Sequence, residues 1–170
     1  VRKAEQIRYL ILAVQREGSR QLSAILSHIG LTPAQSEALV VIGNHGPLSL
    51  KDLGDMLVCD SGTSPSRIVD RLVEAGLVNR AAGEHDRRQI QLTVTAPGLK
   101  KADQVRLIEE RLYGGIDRAL NADDTDALLR GLRSLLTDSP ARATFERRLA
   151  ADGSHPESDH PLQPSPGTVA

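Results

Sequence analysis

Apolar residues recur at steps of three and four through residues 3–29, where Ile7, Leu10, Ile11 and Val14 are followed by Leu22, Ile25, Leu26 and Ile29, with Arg and Glu between them. That period lays one apolar stripe along a long helix. Gly18 falls in its middle, where glycine costs about 1 kcal/mol relative to alanine and marks the place for a kink or break. Thr32-Pro33-Ala34-Gln35 is a helix start, because the Thr hydroxyl and the Gln side chain satisfy orphan amides and Pro needs no N–H at the first helical position. Leu39, Val40 and Ile42 continue that helix to the breaker cluster Gly43-Asn44-His45-Gly46-Pro47. Ser49-Leu50-Lys51-Asp52 repeats the capped start, and Leu53, Met56 and Leu57 give a short helix its inner side. After the polar turn Cys59-Asp60-Ser61-Gly62-Thr63, Ser64-Pro65 opens a helix with Ile68, Val69, Leu72 and Val73 on one face, closed by Gly76.

The period then changes from 3.6 to two. Leu77-Val78-Asn79-Arg80 reads as a short strand, and Ile90-Gln91-Leu92-Thr93-Val94 alternates strictly, the mark of a half-buried strand. The polar, Arg-tipped segment between them makes the pair a β-hairpin. Thr95-Ala96-Pro97-Gly98 opens a second long helix with Val105, Ile108, Leu112, Ile116 and Leu120 inward. At 1.5 Å per residue it is on the order of 35 Å long, more than so small a lobe can cover. Asn121-Ala122-Asp123-Asp124 caps a helix carrying Leu128, Leu129, Leu132, Leu135 and Leu136, and Ser139-Pro140 starts a last one with Phe145 and Leu149. Residues 151–170 hold four prolines and little apolar matter, so they read as a disordered tail.

The predicted class is therefore mainly α (α+β), a winged helix-turn-helix with long N- and C-terminal helices. The expected division is an N-terminal dimerisation helix over 3–30, a DNA-binding domain over 31–95, C-terminal dimerisation helices over 96–150 and the tail over 151–170. The stripes on 3–29, 105–120 and 128–149 support a homodimer, since exposed stripes of that length aggregate unless buried between subunits.

Charge complicates a nucleic-acid reading. The 170 residues carry a net charge of −1, which argues against a partner as acidic as DNA. Asp152, Glu157 and Asp159 contribute −3 from residues 151–170, which have no Lys or Arg, so residues 1–150 stand at +2. Aromatic residues make up 2% of the chain, too few for a base-stacking surface, and any nucleic-acid reading rests on motif geometry. Cys59 is the single cysteine, which excludes an internal disulfide, and no run of 18 apolar residues suggests membrane insertion, so a cytoplasmic location is expected. No G-x-S-x-G, phosphate-cradling glycine loop or His-Glu-x-x-His occurs, and Asp123-Asp124-Thr125-Asp126 sits where a helix N-terminus favours carboxylates. The chain is not expected to be an enzyme. Histidines 28, 45, 85, 155 and 160 lack zinc-ligand spacing, and neither a cofactor nor a metal is expected.

The runs Leu72-Val73-Glu74-Ala75-Gly76-Leu77-Val78-Asn79-Arg80, Asp86-Arg87-Arg88 and Leu92-Thr93-Val94-Thr95-Ala96-Pro97-Gly98 resemble the multiple-antibiotic-resistance regulator (MarR) family. The resemblance covers residues 5–138 in element order and is sharpest at the Asp-x-Arg pattern of Asp86 and Arg88. It implies a homodimer with interlocked terminal helices, binding to a double-stranded DNA operator, control of nearby genes (repression being the expected sense), and release by a small-molecule effector of aromatic or phenolic kind. The effector pocket it implies lies between the two lobes, with Tyr9, His28, Ile29 and Tyr113 as lining candidates.

In such a fold the helix after the turn enters the major groove and the hairpin tip reaches a neighbouring minor groove. The outward face of residues 64–75 presents Ser64, Ser66, Arg67, Asp70 and Arg71, with Ser66 and Arg67 in the first turn. Arg67 is either bidentate to guanine or confined to phosphate. Asp70 is expected to brace Arg71 or a wing arginine. Arg88 matches the family arginine of the minor groove, Arg87 suits a phosphate, and Asp86 is expected to hold the loop by pairing with Arg80 or Arg71. An ordinary solvated hairpin tip is the alternative. Ser49 and Lys51 are placed for further backbone contacts. Pro65 makes the preceding turn one residue longer than the common family pattern, so no contact is carried over to Ser61 or Thr63. Cys59 reads as a small buried hydrophobe more readily than as an oxidant sensor, because its neighbour Asp60 has the wrong sign to stabilise a thiolate. A second functional reading stays open: residues 49–94 carry six Lys and Arg against seven Asp and Glu, which suits a winged-helix protein–protein interaction module without DNA binding.

Overall fold

The computed structural model describes residues 2–58, 62–82 and 90–153. Most of the first stripe forms one continuous helix, α1 (Lys3–Ser27), which Gly18 does not interrupt and which ends before Ile29. α2 (Pro33–His45) starts on the expected capping box, with the Thr32 N–H bonded to Gln35 Oε1 at 2.9 Å and the Gln35 N–H to Thr32 Oγ1 at 3.3 Å. It runs three residues into the breaker cluster before the cis Gly46–Pro47 bond. Ser49 and Asp52 cap α3 (Leu50–Met56), and Ser64 with Pro65 opens α4 (Pro65–Glu74). The long α5 (Ala96–Ala119) is capped by Thr95, α6 (Ala122–Leu135) by Asn121, and α7 (Pro140–Gly153) follows Ser139.

The sheet has three antiparallel strands in the order β1-β3-β2. β2 (Val78–Ala82) pairs with β3 (Ile90–Val94) so that Val78 faces Val94 and Arg80 faces Leu92. β1 (Leu48–Ser49), between the breaker cluster and α3 and not expected as a strand from the sequence, joins the other edge with Leu48 opposite Leu92. Leu92 is thereby held from both sides and is fully buried.

The core gathers around α2, whose Ala38, Leu39, Val41 and Ile42 are buried among Leu26 of α1, Leu53 of α3, Val69 and Leu72 of α4, and Ala102 and Val105 of α5. The distal helices contribute almost nothing to it. Leu26 is the one buried residue of α1, and α6 has none. Ile7, Leu10 and Val14 of α1 and Leu128, Leu129 and Leu135 of α6 lie exposed, the surface left over when a stripe is longer than its lobe. No described helix is long and apolar enough to cross a membrane.

One boundary needs correction. Residues 151–153 are the last residues of α7, so Asp152, assigned above to the tail, is helical and bonded to the globular part. Its order comes from a partner far away in the chain, which local composition cannot reveal.

Candidate nucleic-acid interface

α4 buries Ile68, Val69 and Leu72 and turns Arg67 and Arg71 to solvent. The rod assigned to the groove is thus open along one side. Arg71 bonds Glu74 on the same helix at 3.1 Å, whereas no acid among the described residues pairs with Arg67. Ser64 is used as the cap, its Oγ accepting from the Arg67 N–H at 3.5 Å, and Ser66 is half-buried. The cap and the proline fix where the helix begins, and therefore which side chains occupy its first turn.

Asp70 braces the hairpin rather than Arg71. Its Oδ1 lies 2.7 Å from Arg80 Nη1, and Arg80 Nη2 donates to the Ser66 carbonyl at 3.5 Å. One guanidinium from β2 therefore reaches the first and second turns of α4. Asp86, the other expected partner of Arg80, lies outside the described residues, as do Arg87 and Arg88 of the hairpin tip, Cys59 and Ser61. The Asp70–Arg80 pair is half exposed, so Asp70→Asn is expected to cost no more than about 1 kcal/mol in urea unfolding. The same variant, with one negative charge fewer, is expected to bind non-specific duplex at least as well while losing discrimination between specific and random sequence. Competition gel shifts check this.

Ser49 and Lys51 lie with Ser66 and Arg80 around a small open depression of about 380 Å³ floored by Leu50, Ile90 and Leu92. It brings the starts of α3 and α4 against the sheet, so these four predicted or brace residues share one surface. Asp52 is occupied with the Ser49 cap, at 2.6 Å from Ser49 Oγ, which draws its charge into the helix start.

A larger cleft of about 1060 Å³ separates α1 from α4, with Gln15 and Ser19 on one wall, the start of α2 at the end, and Arg67, Asp70 and Arg71 on the other wall. Tyr9, His28, Ile29 and Tyr113 do not line it. Tyr9 is exposed beside Arg8, Ile29 is half-buried with its carbonyl accepting from Lys101 Nζ at 3.1 Å, and His28 is exposed. Tyr113 sits on α5 near Glu109, and burial and that carboxylate push its phenol upward. Burial likewise raises the Glu109 carboxyl against the opposing charges of Arg148 and Arg106. These groups meet α7, not the cleft. Among the described residues no cluster of His, Cys, Asp or Glu could hold a metal.

The sequence reading missed the contacts that join elements distant in the chain. Glu37 Oε1 accepts the Val58 N–H at 2.7 Å, Arg106 Nη2 donates to Asn44 Oδ1 at 2.6 Å, and His45 meets Asp152. Each falls on a polar residue whose own neighbourhood in the sequence gives no sign of its partner.

This arrangement of helix, braced hairpin and flanking long helices has counterparts. A MarR family model matches residues 29–89, from just after α1 to just before β3. The HTH-type transcriptional regulator TtmR of Methylorubrum extorquens (strain PA1) is 30% identical over 149 residues, spanning 88% of this chain and 75% of that regulator. The chain belongs to the MarR family. A second relative, the organic hydroperoxide resistance transcriptional regulator of Bacillus subtilis (strain 168), is 31% identical over 93 residues, which cover 55% of this chain and 63% of that protein. Among solved structures, a mutant of MarR from E. coli complexed with operator DNA is similar with a TM-score of 0.67 at 28% identity, over 77% of this chain and 94% of that one. MarR-family proteins of this kind are transcriptional regulators and not enzymes, and so is this chain.

Proposed function

We propose that the chain is a ligand-responsive regulator, acting as a repressor, that binds a pseudo-palindromic double-stranded operator as a homodimer in the cytoplasm. The observation that carries this reading is α4: solvent-open on the Arg67 and Arg71 side, capped at Ser64 and tied to the hairpin through Asp70 and Arg80. Arg67 and Ser66 would meet base edges, Arg71, Ser64, Ser49, Lys51 and Arg87 the phosphates, and Arg88 the neighbouring minor groove. The operator complex of the 28% identical MarR supports the same use of the fold.

A small aromatic or phenolic effector would occupy the cleft between α1 and α4, where its binding competes for Arg67 and Arg71. Tyr9, His28, Ile29 and Tyr113 would line an effector site only where the second copy completes it. In the domain reading, residues 3–30 and 96–150 dimerise and 31–95 bind DNA, and the unburied apolar sides of α1 and α6 support it.

Near-neutral charge in residues 49–94 favours the alternative, a protein–protein module. Two of the seven acids are offset from outside that count, however, Asp55 by Arg147 and Asp52 by the helix start it caps, while Asp70–Arg80 and Glu74–Arg71 cancel within it. A gel-shift titration on the chain's own upstream region against salt decides between them. DNA binding should weaken with a log–log slope of about −0.9 per phosphate neutralised. Binding that ignores salt, or no binding to duplex at any salt, would refute the DNA reading.

A further inference from the structure

α7 is attached to the winged lobe by charge. Its first turns are pinned to α6, with Arg142 Nη1 donating to the Arg133 carbonyl at 3.2 Å and the Arg133 guanidinium over the Phe145 ring at 5.8 Å. The far end packs on α3. There Arg147 Nη1 lies 3.7 Å from Asp55 Oδ2, and Asp152 bridges His45 Nε2 at 3.0 Å and Arg148 Nε at 2.8 Å. His45 is the last residue of α2, and its side chain is 10% exposed. Burial works against the Asp152 carboxylate, but the Arg148 hydrogen bond and charge, with His45 beside it, hold its pKa below the ordinary value.

No described residue of α7 joins the buried core, and Leu149 remains 43% exposed. Arg148 Nη1 is buried without a hydrogen-bond partner among the described residues. The docking is therefore ionic and imperfect. Partly exposed ion pairs contribute little each and are weakened by salt. Yet the element they hold is the helix before the turn, and Asp55 lies one helical turn from Lys51.

We propose that α7 is a salt-sensitive strap whose docking on α3 sets the operator affinity of the helix-turn-helix, with Arg147 and Asp152 as the positioning residues that close it. Docked, it ties α2 and α3 to α6, and Arg147 masks a carboxylate one turn along α3 from Lys51. Released, α3 loses an anchor and Asp55 is left bare beside the phosphates. Preorganisation of this kind raises affinity by lowering the ordering cost of binding. The proposal rests on the DNA-binding reading for its readout, but the docking is measured separately.

The test compares the full chain with its Arg147→Glu, Arg147→Lys and Asp152→Asn variants. Hydrogen exchange over residues 141–152 reports docking, and gel shifts on a duplex of the chain's own upstream region report affinity. Arg147→Glu and Asp152→Asn are expected to speed exchange in α7, leave α5 protected, and weaken duplex binding about fivefold or more, the low end of ordinary coupling between sites. Arg147→Lys should keep both properties. In the unaltered chain, α7 protection should fall as KCl rises. Asp152→Asn is the decisive variant, because removing a negative charge strengthens DNA binding on electrostatic grounds alone and the strap requires the opposite. Unchanged α7 exchange in both charge variants overturns the strap. Faster exchange with unchanged or tighter duplex binding overturns its control of affinity, and weaker binding with α7 still protected assigns the effect to direct contact instead. An unaltered chain that binds no duplex sinks the DNA reading and the coupling together, while the exchange arm still judges the docking.

Discussion

Gly98→Ala is expected to destabilise the chain by about 3 kcal/mol, the upper end for forcing atoms into a packed site. A Cβ at this position would fall inside the Leu77 carbonyl and 2.8 Å from Val94 Cγ2. Neither neighbour can yield cheaply. Leu77 is buried, its carbonyl accepts the Thr95 N–H at 3.0 Å, and Thr95 Oγ1 in turn accepts the Gly98 N–H at 3.0 Å. The first turn of α5 is thus pressed onto the entry to β2, which is how the long helix and the winged lobe become one packed body. Gly18→Ala is the natural control. Nothing lies within 4 Å of its missing side chain, so alanine there should stabilise by about 0.5–1 kcal/mol through helix propensity and unfolded-chain entropy. Urea unfolding of the two variants, side by side, checks the contrast.

Arg67→Ala is expected to weaken binding to the specific operator by about 1–3 kcal/mol, roughly fivefold to 150-fold. The argument is geometric. α4 begins at Pro65, so Arg67 stands in the first turn, exposed and unclaimed by any described acid, and its loss leaves the cap and the buried face intact. Arg88→Ala should add to this loss through the second groove, and the two should combine nearly additively if they read separate grooves. Fluorescence anisotropy on specific and scrambled duplexes separates the outcomes: base readout by Arg67 lowers specific affinity selectively, whereas a phosphate contact lowers both alike. Full affinity retained by the double variant at physiological salt would remove both residues from the mechanism.

The parts of the fold that were legible in the sequence are the local ones. Thr32 with Gln35, Ser49 with Asp52, Thr95 with Gly98 and Asn121 with Asp124 are hydrogen bonds closed within three residues, and each fixed a helix start before any tertiary contact was considered. β3 was equally plain, because one buried face imposes a period of two. β1 was not, since two residues carry no period and become a strand only by pairing with β3. Arg67 and Arg71 could be assigned to the open side of α4 from helical periodicity alone. The choice of Arg80 by Asp70 could not, because it depends on where the hairpin crosses the helix, a distance of ten residues in sequence and 2.7 Å in space. The end of α7 lay furthest from view, its last turn being fixed by His45 at a separation of 107 residues.

In α6 no residue is fully buried, and in α1 Leu26 alone is, with Leu22 partly covered by the core. In the proposed homodimer the second copy supplies the apolar environment that a single protomer does not give these arms, and their order then depends on mass action. On that reading scarcity has a structural effect: at low copy number the molecule would forfeit its arms before its central lobe, and the amount of chain would determine its architecture as much as its occupancy.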